Sequence, residues 1–200
     1  MKHHKLFLFP FLITFILFSS GCKTNLTMDK DISAYSYKLI NQDSSTVIFP
    51  HKYQGKIVVI GFIFTNCPDI CPFTTHNMQL IQERAKKEGV NNIQFAALSF
   101  DPDRDTPKIL KQYAKARDID LANFHFITGK KQTVDSLLKK MGVLAIPGDT
   151  TYTDSGEPIY FFTHTDRITL IDQDEHLRKE YKGSKVDVDA IINDIKELGD

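Results

Sequence analysis

Two cysteines set four positions apart, Cys67 and Cys71 in the run Thr65-Asn66-Cys67-Pro68-Asp69-Ile70-Cys71-Pro72, are the residues best equipped for chemistry in this chain. On a helical turn, rising about 1.5 Å per residue, positions i and i+4 share a face and lie about 6 Å apart. That separation suits a disulfide and equally suits two thiolates closing on one soft metal ion. A helix N-terminus favours thiolate over thiol, while the carboxylate of Asp69 opposes it. The plainer reading is a fixed structural bridge. Closing so short a loop restrains the unfolded chain little, so a redox or metal site is favoured. Two sulfurs alone do not complete a zinc site, and a metal would need a third ligand from elsewhere.

Seven histidines compete for that place. His3 and His4 fall in the leader, His51 in an early loop, and His176 just after the turn Asp172-Gln173-Asp174-Glu175. His76 lies nine residues beyond Cys67 inside a helix and points away if Cys71 points into the site. His125 sits in a strand, where an edge or core role is the ordinary one. His164 differs, because Phe162-Thr163-His164-Thr165-Asp166-Arg167 separates two late strands and a histidine there can swing onto a neighbouring loop. Pattern alone leaves it equally a surface residue.

The elements that must position these residues alternate strand and helix from about Tyr35, which favours an α/β domain with a mainly parallel sheet and helices on its faces. Tyr37 to Ile40 and Thr46 to Phe49 read as short antiparallel leads. Lys56 to Phe64 is apolar nearly throughout, as a central strand buried on both faces requires. The cysteines follow it directly, at the end of an α/β sheet where sites commonly form. Phe73 to Lys87 is then a helix, with Met78, Ile81 and Ala85 at helical spacing and Gly89 as its stop. Ile93 to Phe100 is a second strand, and Thr106 with Pro107 caps and opens a helix to about Arg117. Phe124 to Thr128 is a third strand and Thr133 to Met141 a helix ended by Gly142. Tyr160 to Thr163, Arg167 to Asp172 and His176 to Tyr181 are late strands, and Val186 to Leu198 closes as a helix.

With 42% hydrophobic and 25% charged residues over 200 positions, the composition is that of one ordinary globular domain. Twenty-five basic residues balance 25 acidic ones. No overall field attracts nucleic acid, and Lys130, Lys131, Lys139 and Lys140 read as solvated faces and not as a basic stripe. Residues 1–21 stand apart: a basic start, an apolar run from Leu6 to Phe18, and the small residues Ser19-Ser20-Gly21 form a secretory signal. The run is shorter than the roughly 20 residues a membrane-spanning helix needs. Cys22 directly after Gly21 resembles a bacterial lipoprotein cleavage box, with lipid on the cysteine, although Ser19 stands where Leu is usual. An uncleaved anchor and ordinary signal cleavage are the alternatives. Residues 22–34 are read as a flexible tether and 35–200 as the domain, placed in the cell envelope outside the cytoplasm, where disulfides can form and persist. Removing the leader takes Lys2 and Lys5, and the remainder is faintly acidic.

The residues resemble those of the Sco/SenC family, thioredoxin-like copper chaperones of cytochrome c oxidase assembly. The resemblance rests on Gly61-Phe62-Ile63-Phe64-Thr65-Asn66-Cys67-Pro68-Asp69-Ile70-Cys71-Pro72, on Ser99-Phe100-Asp101-Pro102-Asp103-Arg104-Asp105-Thr106-Pro107, and on His164 ahead of Ile168-Thr169-Leu170-Ile171-Asp172. It implies a thioredoxin-like fold with a late β-hairpin carrying His164. It further implies that Cys67 and Cys71 are a redox pair, that they bind copper together with His164, and that Asp101 and Asp103 form a supporting acidic loop. That loop also has a purely architectural reading, in which the aspartates tie the turn. The implied partner is the copper-bearing subunit of the oxidase or another copper chaperone, with the membrane reached through lipid on Cys22. The family usually places Asp directly before the ligand histidine, and Thr163 stands there instead, so a carboxylate that would orient the ring is missing or supplied from elsewhere. Two other functions compete: thiol-disulfide exchange without copper carriage, and a thiol peroxidase, against which Thr65 stands one position too close to Cys67.

Overall fold

The computed structural model describes residues 26–67, 70–156 and 158–199. The leader, Cys22 and Asp69 lie outside the described residues. In chain order the elements are β1 (Lys30–Asp31), β2 (Tyr37–Asn41), β3 (Thr46–Phe49), β4 (Ile57–Ile63), α1 (Ile70–Lys87), β5 (Ile93–Ser99), α2 (Pro107–Ala116), β6 (Phe124–Thr128) and α3 (Lys131–Met141). There follow β7 (Ala145–Pro147), β8 (Thr151–Tyr152), β9 (Pro158–Ile159), β10 (Phe162–His164), β11 (Ile168–Ile171), β12 (His176–Tyr181) and α4 (Val188–Gly199).

Eight strands form one sheet in the order β1-β12-β11-β4-β5-β6-β2-β3. Its centre is parallel, with β4 beside β5 and β5 beside β6, while β11 and β2 flank that centre antiparallel. All seven residues of β4 are buried, as its unbroken apolar run demands. Helices α1 and α4 pack together and against β4, while α2 lies against β6 and α3 against β2. Thr106 accepts the Ile109 N–H and caps α2, and Gly142 ends α3 in the left-handed conformation, which glycine adopts without a Cβ penalty. Residues 26–34 are more than a tether: β1 pairs with the edge of β12, and Ile32 is fully buried. Polar composition conceals a two-residue edge strand of this kind.

The hairpin that carries His164 has an unexpected partner. β10 pairs with β7, Ala145 opposite His164, and β8 pairs with β9 nearer the tip. Residues 145–164 therefore form an arm that adds no strand to the large sheet. Among the described residues no helix is long and apolar enough to cross a membrane.

Candidate metal centre

The site is built at the C-terminal ends of β4 and β5. Where β4 ends, the chain turns through Thr65 and Asn66 to Cys67, and Cys71 is the second residue of α1. Cys71 is buried and Cys67 partly exposed, and both are free thiols. The Cys71 backbone N–H donates to Cys67 Sγ at 3.4 Å, so the first sulfur takes up a donor at the start of the helix that no intrahelical carbonyl could satisfy. Burial pushes the Cys71 thiol well above the ordinary thiol range. A cation bound between the sulfurs would reverse that balance by stabilising thiolate.

The arm brings His164 over this pair. Its Nε2 lies 3.8 Å from Cys71 Sγ, and one ligand atom from each of Cys67, Cys71 and His164 falls within 4.8 Å of the others. His164 Nδ1 is 3.1 Å from the Thr165 carbonyl. A carbonyl only accepts, so Nδ1 carries a proton, and in the neutral ring Nε2 then presents a lone pair to the sulfurs. The ring also sits against Phe100, with centroids 4.9 Å apart, and edge-on to Phe64 at 6.2 Å. A backbone carbonyl and two aromatic faces thus do the orienting that a carboxylate at position 163 would otherwise do.

The acidic loop after β5 divides its three aspartates. The backbone folds back on itself, with both Arg104 N–H and Asp105 N–H donating to the Asp101 carbonyl. That turn sends Asp101 and Asp105 inward, both buried, and leaves Asp103 exposed. Asp101 accepts from Tyr160 Oη at 2.9 Å and from Arg104 Nε. Asp105 reaches the cysteine loop: it accepts from Thr65 N–H at 3.0 Å, from the Thr65 hydroxyl and from the Ser99 hydroxyl. Burial raises the Asp105 carboxyl above its ordinary range, against those hydrogen bonds. Burial and the neighbouring Asp101 push the Tyr160 phenol up to about 12. Asp105 is thus the carboxylate that braces the cysteine loop, although the sequence drew attention to Asp101 and Asp103. Its signal was present in the same run, but no local period separates three aspartates at alternate positions.

The other histidines of the described residues lie elsewhere. His76 is exposed on α1, His125 lies 3.3 Å from Gln94 in the sheet, and His51 and His176 pair with Glu175 and Asp29. Asp166 accepts from the Ser184 N–H and hydroxyl and from Thr74 on α1, tying the strand after His164 to the helix that carries Cys71.

Fold and site together define a thioredoxin-like domain with two thiols and an imidazole converging at the end of its central strands. A sequence model described as SCO1/SenC matches residues 27–200, and the chain belongs to that family. A SCO1/SenC family lipoprotein from Bacillus anthracis superposes with a TM-score of 0.72 at 29% identity, over 88% of this chain and 98% of that one. BsSco, described as a member of the Sco family of cytochrome c oxidase assembly proteins with a disulfide switch, matches at 26% identity and a TM-score of 0.68, over 88% and 96%. ScoI from Arabidopsis thaliana, solved with copper bound, shares the fold at a TM-score of 0.67 and 23% identity, over 81% and 97%.

Proposed function

We propose that this protein carries one copper ion as cargo between Cys67 Sγ, Cys71 Sγ and His164 Nε2, and that it does so outside the cytoplasm, held to the membrane by lipid on Cys22. The observation that carries the reading is the convergence of these three atoms within 4.8 Å of one another. Soft thiolates suit Cu(I), and imidazole extends the same site to Cu(II). Three protein ligands leave a position open, through which a receiving site can take hold of the ion. The receiving site would be the copper-bearing subunit of a cytochrome c oxidase or another copper chaperone. Family membership and the oxidase-assembly role ascribed to BsSco support that partner, and the lipoprotein from Bacillus anthracis supports the anchor.

The free and unequally exposed thiols favour one second reading. Cys67, the less buried of the two residues, would attack a disulfide in the partner, and Cys71 would resolve the mixed disulfide. The products are a reduced partner and a Cys67–Cys71 disulfide, which can no longer hold copper. One titration separates the readings. Reduced protein should take up one Cu(I), and Cys67→Ser should lose it, whereas His164→Ala should impair copper delivery and leave disulfide exchange largely intact. Normal copper uptake by Cys67→Ser would sink the copper reading.

A further inference from the structure

His164 owes its place to the arm, and the arm is held to the body of the protein by very little backbone. β7 and β10 pair with each other and not with the eight-stranded sheet. Side chains must therefore decide where the arm rests. Tyr160, Phe162 and His164 alternate along the chain, so in extended backbone they project from one face. That face is the docked one: the Phe162 ring lies 5.2 Å from Phe64 and 5.1 Å from Phe100, and His164 packs on Phe100. Phe161, between them, is about half exposed at 51%.

At the outer end of this row stands Arg104. Its guanidinium lies over the Tyr160 ring, 3.6 Å from the centroid, and its Nη1 donates to the Tyr160 carbonyl at 3.2 Å. The same side chain pairs with Asp101 through Nε, and Asp101 accepts the Tyr160 hydroxyl at 2.9 Å. Each of the three thus touches the other two. Asp101 and Arg104 belong to the loop after β5, at the end of the sheet where the cysteines sit, and Tyr160 belongs to the arm. An aromatic ring stacked on guanidinium, with charge-assisted bonds around it, is a directional contact, unlike the apolar packing of Phe162.

We propose that Arg104, Asp101 and Tyr160 form a clasp that sets His164 over the two sulfurs, making Arg104 and Tyr160 positioning residues for the third ligand. The proposal rests on the copper reading above for its consequence, but the closure of the clasp is measurable without metal. The two sulfurs stand in the turn after β4 and at the start of α1, and neither belongs to the arm. Opening the clasp therefore weakens the ion that needs imidazole, Cu(II), far more than the ion that two thiolates satisfy, Cu(I).

The test compares full-length wild type in detergent with Tyr160→Ala, Tyr160→Phe and Arg104→Lys. Tyr160→Phe keeps the ring and loses the hydroxyl, while Arg104→Lys keeps the charge and loses the planar fork. In reduced, metal-free protein, amide exchange over residues 158–165 should quicken by about tenfold in Tyr160→Ala, with the thermal midpoint little changed. Cu(II) affinity should fall by about 10- to 100-fold, with weakened imidazole-nitrogen coupling in the electron paramagnetic resonance spectrum, and Cu(I) affinity should stay close to wild type. The two conservative variants should fall between. Unchanged arm exchange in Tyr160→Ala overturns the clasp, as does faster exchange with unchanged Cu(II) binding. Equal losses for both ions with a fallen midpoint would make the contact merely structural and overturn it too. A wild type that binds neither ion defeats the copper reading alone, and metal-free exchange then decides the clasp.

Discussion

Replacing Asp105 should show how much of the cysteine loop rests on one buried carboxylate. Its side chain is fully buried and accepts three hydrogen bonds, from Thr65 N–H, the Thr65 hydroxyl and the Ser99 hydroxyl. Removing an acceptor and leaving a buried donor unpaired costs about 1–3 kcal/mol per donor. Ser99 is buried and Thr65 half-buried, so three donors at or below the low end of that range give about 2–3 kcal/mol for Asp105→Ala, or a midpoint about 4–12 °C lower in a domain of this size. Asp105→Asn keeps one carbonyl oxygen and should lose roughly half as much. Burial acts against the ionised wild-type side chain, raising its pKa above the ordinary 3.8 of an aspartate. The unfolded chain then releases this proton first as pH rises, so Asp105's own contribution is greatest below that value and declines as pH climbs through the raised folded pKa. The stability gap between wild type and Asp105→Asn should narrow over that window. The chain has no tryptophan, so urea unfolding is best followed by far-ultraviolet circular dichroism, with reductant and chelator present. A loss below about 1 kcal/mol for Asp105→Ala, or a gap that widens with pH, would refute the reasoning.

Two further perturbations test the frame around the site. A Cβ at Gly61 would stand 2.5 Å from Met78 Sδ, inside β4 and against α1, so Gly61→Ala should cost about 1–3 kcal/mol in urea unfolding, and pairing it with Met78→Val should recover part of the loss. His176 bonds Asp29 just ahead of β1, and that bond raises its pKa above the ordinary 6.5 of a histidine. Its contribution is therefore present below 6.5 and lost as pH rises through the folded pKa, so amide protection of β1 should fall over that window in wild type and be flat in His176→Gln.

Legibility in the sequence followed the range of the interaction that decides each element. Phe124 to Thr128 and His176 to Tyr181 were readable to the residue, because an apolar or alternating run between turn signals is a local property. α1 begins at Ile70 and not at Phe73, since Pro72 falls in the first turn, where its missing N–H is no loss. β7, β8 and β9 carried no signal: they are two or three residues long and almost wholly exposed, so nothing in their own composition marks them as paired. The cysteine pair was legible from its four-residue spacing together with its place directly after the central strand. His164 was not, because its contact with Cys71 spans 93 positions and depends on which face of the arm docks. The alternation of Tyr160, Phe162 and His164 is visible in the chain, yet only Phe64, Phe100 and Arg104 decide that this face turns inward. Asp101 and Asp105 were likewise separable from Asp103 only once the turn closed on the Asp101 carbonyl. The division has a chemical consequence. The sulfurs are placed by the turn after a buried strand and by the start of the helix packed on it, whereas the imidazole is placed by a separate arm through side-chain contacts. A ligand held in that way can be displaced without disturbing the two thiols, which is what releasing an ion to another site, or exchanging thiols with one, requires of the third ligand.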